Sequence, residues 1–330
     1  MSITLTLAEI CSRIQQANTI LVLSHLMPDA DAVGSSAGLT RILKAAGKNA
    51  YLHFPEKLPQ KLEFIVAGIE GIYTLPRTAV DLAIITDTAS VKRLAVTDQK
   101  YFDSIANNIC IDHHASNSGW AKENFIDAEF ASTSEIILSL AETLGVYPLS
   151  SEIATALLAG VMDDTGSFRY SNTKPETYIH ASQLVAFGAS PNAISERLYF
   201  DVPERVFKLR ARALSKVKRL DQTAYVSLTL KDLAETGCIP EDTDGIIDEL
   251  RSISGVQVAV LIREMSSEDP SQAPGFLWKA SLRSKREDID VNKIAGQFGG
   301  GGHPAAAGCK MRGSLEQIEA GLLKAIKEYK

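Results

Sequence analysis

The sequence predicts an α/β protein: an N-terminal, mostly parallel sheet with flanking helices, then a smaller C-terminal α/β domain with a mixed sheet, joined by a helical linker. Three observations carry that expectation. Short apolar runs at 19–24 (TILVLS), 82–86 (LAIIT) and 109–111 (ICI) read as buried strands. Stretches with helical apolar spacing lie between and after them, as in parallel crossover units. At 330 residues the chain is long enough for two cores.

The elements follow in order. Thr6-Leu7-Ala8-Glu9 reads as a capping box, opening a helix with Leu7, Ile10, Cys11 and Ile14 on one face. After the first strand, Ala32–Ala46 has helical spacing and stops at Gly47. Ser132–Glu135 is a second capping signature, for a helix through Leu144, and Thr173–Glu176 a third, for a helix ending at Gly188. Between them Ile153–Met162 is apolar and helical. Asp201-Val202-Pro203 breaks the pattern, and a basic helix runs from Glu204 to about Leu220. The expected domains are therefore 1–200 and 222–330, with 201–221 as linker. In the second, strands are expected at Thr223–Leu230, Val256–Arg263 and Phe276–Arg283, with a polar loop at Ser266–Gly275. A short helix at Asp290–Phe298 runs into four glycines, Gly299–Gly302.

Chemistry gathers at the strand ends. The first run closes on His25-Leu26-Met27-Pro28-Asp29-Ala30-Asp31, the second on Asp87, the third on Asp112-His113-His114. Open α/β sheets bind ligands at the carboxyl ends of their strands, so three parallel strands would pool these groups in one crevice. Asp163-Asp164-Thr165-Gly166, after an apolar helix, adds a fourth set. Two carboxylates two residues apart with no Lys or Arg between them repel each other unless cations sit beside them. Carboxylates and imidazoles without thiolates make a hard-to-borderline site that suits Mn²⁺, with Mg²⁺, Co²⁺ or Zn²⁺ as competitors. Two such ions can clamp the attacking and leaving oxygens of a phosphoryl displacement. Asp112 is read as the group that orients an imidazole. Arg169 is either a phosphate contact or a surface ion pair. The glycine run, followed by His303 and with Arg283 nearby, is read as backbone held open for an anion and not used for packing.

The segments His25–Ser35 (HLMPDADAVGS), Asp87-Thr88, Asp112–His114 and Asp164–Arg169 (DTGSFR) resemble the four motifs of the DHH phosphoesterase superfamily. Leu282–Lys285 (LRSK) and Gly299–Gly308 (GGGGHPAAAG) resemble its DHH-associated C-terminal domain, so the likeness spans residues 25 to 308. The compact two-domain form is similar to the nanoRNase and pAp phosphatase (NrnA-like) group. The resemblance implies two divalent ions, most fittingly Mn²⁺. One would be held by His25, Asp29 and Asp87, the other by Asp31, Asp87, His113 and Asp164, with a hydroxide between them as nucleophile. His114 would face the scissile phosphate with Asp112 behind it. Arg283, Ser284, Gly300, Gly301, Gly302 and His303, with Arg169, would contact substrate. In relatives the position before the fourth-motif aspartate is commonly Thr; here it is Asp163, which leaves open which of the two carboxylates binds metal. The implied substrates are short RNA oligonucleotides, pAp (3′-phosphoadenosine 5′-phosphate) and linear or cyclic di-adenylate. The alternatives are a DHH-type inorganic pyrophosphatase or exopolyphosphatase, and a non-catalytic nucleotide-binding protein.

Composition bears on partners. Lys plus Arg total 34 against 40 Asp plus Glu, a formal charge of −6, which argues against a long duplex-binding surface but allows a local basic pocket. The four cysteines form no CxxC pair, so reduced thiols and a cytoplasmic protein are expected. No apolar run reaches the ~20 residues a membrane helix needs. A homodimer is compatible with the sequence.

Overall fold

The computed structural model describes residues 3–200, 202–266, 277–286 and 288–329, without the side chain of His303. The expected polar loop, from residue 267 on, and Phe276 lie outside the described residues. The chain divides into two compact units, Met1–Asp201 and Val202–Lys330.

The first unit runs β1 (Ile3–Thr4), α1 (Leu7–Gln16), β2 (Thr19–Leu23), α2 (Ala30–Ala45), β3 (Asn49–Leu52), β4 (Leu82–Thr86), α3 (Gln99–Ser104), β5 (Asn107–Asp112), β6 (Glu123–Ile126), α4 (Thr133–Leu144), α5 (Ser151–Asp164), α6 (Pro175–Ala186) and α7 (Pro191–Ser195). Its strands form one parallel sheet in the order β1-β6-β5-β4-β2-β3. Ile20 and Val22 of β2 join the core beneath α1, α2, α4 and α5, while Leu21 and Leu23 pack on the other face with Ala83, Ile85, Phe102 and Ile105. Burial on both faces is why these strands are continuously apolar and do not alternate.

Helix α2 is buried along most of its length and meets α5 through glycines. A Cβ on Gly34 would stand 2.4 Å from the Ala156 carbonyl oxygen, and one on Gly38 2.6 Å from the Leu157 side chain. The helix starts at Ala30, two residues before its apolar spacing suggests, because Asp29 is its N-cap and accepts from the Ala32 amide at 3.0 Å. In α6 the N-cap is Lys174 and not Thr173: Pro175 fills the first helical position, and the Lys174 amide donates to Thr177 Oγ1 at 3.3 Å.

The second unit runs α8 (Glu204–Ser215), β7 (Lys218–Leu220), β8 (Thr223–Leu228), α9 (Leu230–Thr236), α10 (Ile246–Ser252), β9 (Val258–Glu264), β10 (Leu277–Ser284), α11 (Val291–Gly296), β11 (Gly301–His303), β12 (Ala306–Arg312) and α12 (Leu315–Glu328). Its sheet, β11-β12-β10-β9-β8-β7, is mixed: β8 and β9 are parallel and the other neighbours antiparallel. The basic helix stops at Ser215, short of Leu220, because Lys218–Leu220 pairs as a strand with β8. Leu209 and Ala213 of α8 share a core with Ala224 and Val226, so this helix is part of the second unit.

Candidate metal centre

Strands β2, β4 and β5 are neighbours, so their carboxyl ends open onto one place. Beyond β2 the chain turns at Met27, whose φ is +53°, and delivers His25 inward and Asp29 to the start of α2. His25 is buried; its Nε2 lies 3.4 Å from Asp87 Oδ2 and 3.7 Å from Asp29 Oδ2. Asp87 takes a left-handed backbone (φ +54°) as it leaves β4. That geometry is uncommon outside glycine and Asn/Asp. The Asp87 amide donates to the Ile111 carbonyl at 2.9 Å, and its Oδ1 accepts from Thr133 Oγ1 at 3.1 Å.

Asp31, in the first turn of α2, is fully buried. Its two oxygens accept from the Thr133 and Ser134 amides at 2.7 and 3.0 Å, the unpaired donors at the start of α4. Asp112, at the end of β5, accepts from His114 Nδ1 and from Asn117 Nδ2, each at 2.7 Å. His113 Nε2 stands 3.0 Å from Asp164 Oδ2 and 3.6 Å from Asp87 Oδ1.

Three sets of donor atoms converge, each within 4.8 Å: His25, Asp29 and Asp87; Asp31, His113 and Asp164; and Asp87, His113 and His114. Asp87 belongs to two of them. The charges are balanced by protons. Burial opposes the charge on His25, yet Asp29 and Asp87 raise it to about 10; burial likewise opposes His113, which Asp164 above all raises to about 10. Burial pushes Asp164 up to about 7, against the pull of His113. Asp31 is raised well above the usual carboxylate range by burial and by Asp164 and Asp87. Divalent cations fit this donor set: Nε2 of His113 is buried among carboxylate oxygens without a hydrogen-bond partner, and oxygen and imidazole donors crowd one point.

The fourth-motif aspartates part company. Asp164 joins His113, whereas Asp163 Oδ2 accepts from the Ala30 amide at 3.1 Å at the start of α2. Arg169 Nε donates to the Gly166 carbonyl at 2.5 Å.

Residues 19–161 match the DHH family, N-terminal domain, and residues 222–330 match the DHHA1 domain. The bifunctional oligoribonuclease and PAP phosphatase NrnA of Thermus thermophilus is 33% identical over 319 residues, covering 94% of this chain and 89% of its own. The chain belongs to the DHH family. This DHH chain is also 27% identical to the cyclic-di-AMP phosphodiesterase PdeA of Listeria monocytogenes over 96% of its length, which is 48% of PdeA. Among solved structures, an exopolyphosphatase-related protein from Bacteroides fragilis superposes with a TM-score of 0.88 at 27% identity, covering 98% of this chain and 96% of that one.

In the second unit of the DHH chain, the glycine run is packed, contrary to the sequence expectation. A Cβ on Gly300 would lie 2.2 Å from the Gly308 carbonyl oxygen, and one on Gly302 2.5 Å from that of Ala306. The amides of Gly299, Gly300 and Gly302 donate to Gly296 O, Ala295 O and Asn292 Oδ1 at 3.1, 3.0 and 2.8 Å. Gly301 pairs with Gly308 across the β11–β12 ladder. Ser284 Oγ is buried at the end of β10, donating to the Arg286 carbonyl at 2.9 Å, and Arg283 Nη1 donates to the Leu282 carbonyl at 3.2 Å. The side chain of His303 lies outside the described residues.

Sequence reading missed Thr133 and Ser134, which brace Asp31 and Asp87, and Asn117, which holds Asp112. The first two stood inside a recognised capping signature. Its second half also differs: Glu135 Oε2 accepts from the Ala131 amide at 3.0 Å and not from Ser132. Among the described residues, no helix is long and apolar enough to cross a membrane.

Proposed function

We propose that this chain is a two-metal phosphoester hydrolase acting on very short nucleotides: RNA oligomers of a few residues, pAp, and linear or cyclic di-adenylate. The observation that carries the reading is the convergence of the donor sets around Asp87 at the ends of three adjacent parallel strands. The relatives named as oligoribonuclease, PAP phosphatase and cyclic-di-AMP phosphodiesterase support it. His25, Asp29 and Asp87 would hold one ion, and Asp31, Asp87, His113 and Asp164 the other, with Mn²⁺ best suited to the donors. When bound, such ions would lower the pKa of a water they hold towards neutrality and would polarise the phosphoryl group.

The side chains have separable tasks. Asp87 would serve both ions, and its left-handed backbone and the Thr133 hydroxyl hold its carboxylate in place. Asp112 accepts a hydrogen bond from His114 Nδ1, which leaves Nε2 as the atom able to meet a phosphoryl oxygen. Arg283 and His303 would contact the nucleotide substrate. A panel of pAp, di- to pentanucleotide RNA, cyclic di-adenylate, pyrophosphate and polyphosphate, run with Mn²⁺ and with chelator, tests the reading. Preferred turnover of the nucleotides with Mn²⁺ supports it. Preferred turnover of pyrophosphate or polyphosphate would support the other enzyme class, which the name of the Bacteroides relative brings to mind. An Asp87→Ala protein that stayed folded yet kept more than about a tenth of the activity, a loss below ~1.4 kcal/mol, would refute the shared-ligand assignment.

A further inference from the structure

The segment after β4 is tied to the segment after β2. The Leu26 amide donates to the Arg93 carbonyl at 2.7 Å and the Ala95 amide to the Ser24 carbonyl at 2.9 Å, with His25 and Leu94 forming an antiparallel bridge. This tie sets the exposed Arg93 at the edge of the acidic cluster, where its charge helps keep Asp29 ionised after the larger contribution of His25. Arg93 Nη2 lies 3.0 Å from His25 Nδ1, and the Leu26 carbonyl oxygen lies 2.9 Å from that same nitrogen. A ring nitrogen carries either a hydrogen or a lone pair, so Nδ1 cannot donate to Leu26 and accept from Arg93 together. If Nε2 gives its lone pair to a cation, the hydrogen of the neutral ring sits on Nδ1 and Leu26 receives it. The Arg93 N–H group facing Nδ1 then has no acceptor there. Arg169, by contrast, has its Nε engaged by the Gly166 carbonyl.

We propose that Arg93 binds a phosphoryl oxygen of the substrate once the metals are in place, the guanidinium turning from His25 to the anion. This inference rests on the phosphoester reading above for its substrate, but not for its anion. The test uses Arg93→Ala and Arg93→Lys in the Mn²⁺-loaded protein. The expected result for Arg93→Ala is a KM for pAp raised about ten- to hundredfold, as for the loss of one charge-assisted contact. The dissociation constant of inorganic phosphate, measured by calorimetry, should rise in parallel, while Mn²⁺ per chain by elemental analysis stays at the wild-type value. Arg93→Lys should recover part of the phosphate affinity, because it keeps the charge and loses the planar fork. Unchanged phosphate affinity in Arg93→Ala overturns the proposal, as does a wild-type protein that binds no phosphate. Loss of Mn²⁺ in step with phosphate affinity also overturns it, since Arg93 would then act only by orienting His25. Phosphate binding needs no turnover, so a wild type that binds phosphate through Arg93 but leaves pAp intact would sink the substrate reading and spare this one.

Discussion

Gly160 of α5 lies directly against Asp31 of α2: a methyl group on Gly160 would stand 2.4 Å from Asp31 Oδ1 and 2.1 Å from Ser134 Oγ. The carboxylate thus sits in a space that only a glycine leaves open, with the first amides of α4 closing it from the other side. Gly160→Ala should therefore displace Asp31 or push α5 away from α4. Overpacking of this kind costs about 1–3 kcal/mol. Thermal unfolding should show that loss, and Mn²⁺ affinity should fall with it. A variant with wild-type stability and metal content would mean that the site yields freely.

The two acidic residues at the end of α5 should behave differently. Asp164→Asn removes a negative oxygen facing His113 and should abolish hydrolysis while depleting bound metal. Asp163→Asn keeps an oxygen able to accept from the Ala30 amide, so activity should fall by less than about tenfold, within ~1.4 kcal/mol. The check is kcat with metal content for both proteins; equal losses would place Asp163 in the metal shell.

Much of this arrangement was legible because it obeys short-range rules. Apolar runs gave β2 and β4 nearly to the residue and three of the six residues of β5, and strand-end carboxylates pointed to the crevice. What stayed hidden depends on contacts between distant segments. Nothing local marks Thr133 and Ser134 as donors to a carboxylate a hundred residues earlier, since their cap signature is satisfied by α4 alone. The glycine run misled for a related reason: Gly300 and Gly302 are small to admit the β12 backbone, a pairing that sequence spacing does not reveal. Arg93 gave no signal at all, because its place depends on the tie between residues 24–26 and 93–95.

The proposed substrate contacts of Arg283 and His303 predict a contrast between substrates. Arg283→Ala and His303→Ala should leave bound Mn²⁺ unchanged and cost nucleotide substrates about ten- to hundredfold in kcat/KM, the ~1.5–3 kcal/mol of a charge-assisted contact. Hydrolysis of bis-p-nitrophenyl phosphate, which lacks a nucleotide, should change much less. Equal slowing of both substrate types would assign these residues to shaping the catalytic unit instead of holding the substrate.

Metal binding should release protons, and the number should grow as pH falls. In the metal-free site His25 and His113, each raised to about 10, carry protons at pH 8, and both must lose them to offer nitrogen lone pairs. Asp164, near 7 after burial has raised it, is ionised at pH 8 but largely protonated at pH 6, so there it adds a third proton. Asp31, also raised, contributes in the same direction. The sign follows: protons compete with Mn²⁺, so apparent affinity drops as pH is lowered, more steeply below about 7 than above it. Calorimetric titration of Mn²⁺ in buffers of different ionisation enthalpy counts the protons directly. At least two per chain at pH 8, and more at pH 6, is the expected outcome. A count near zero at both values would mean that the imidazoles are neutral in the empty site and that the carboxylates do not hold their protons.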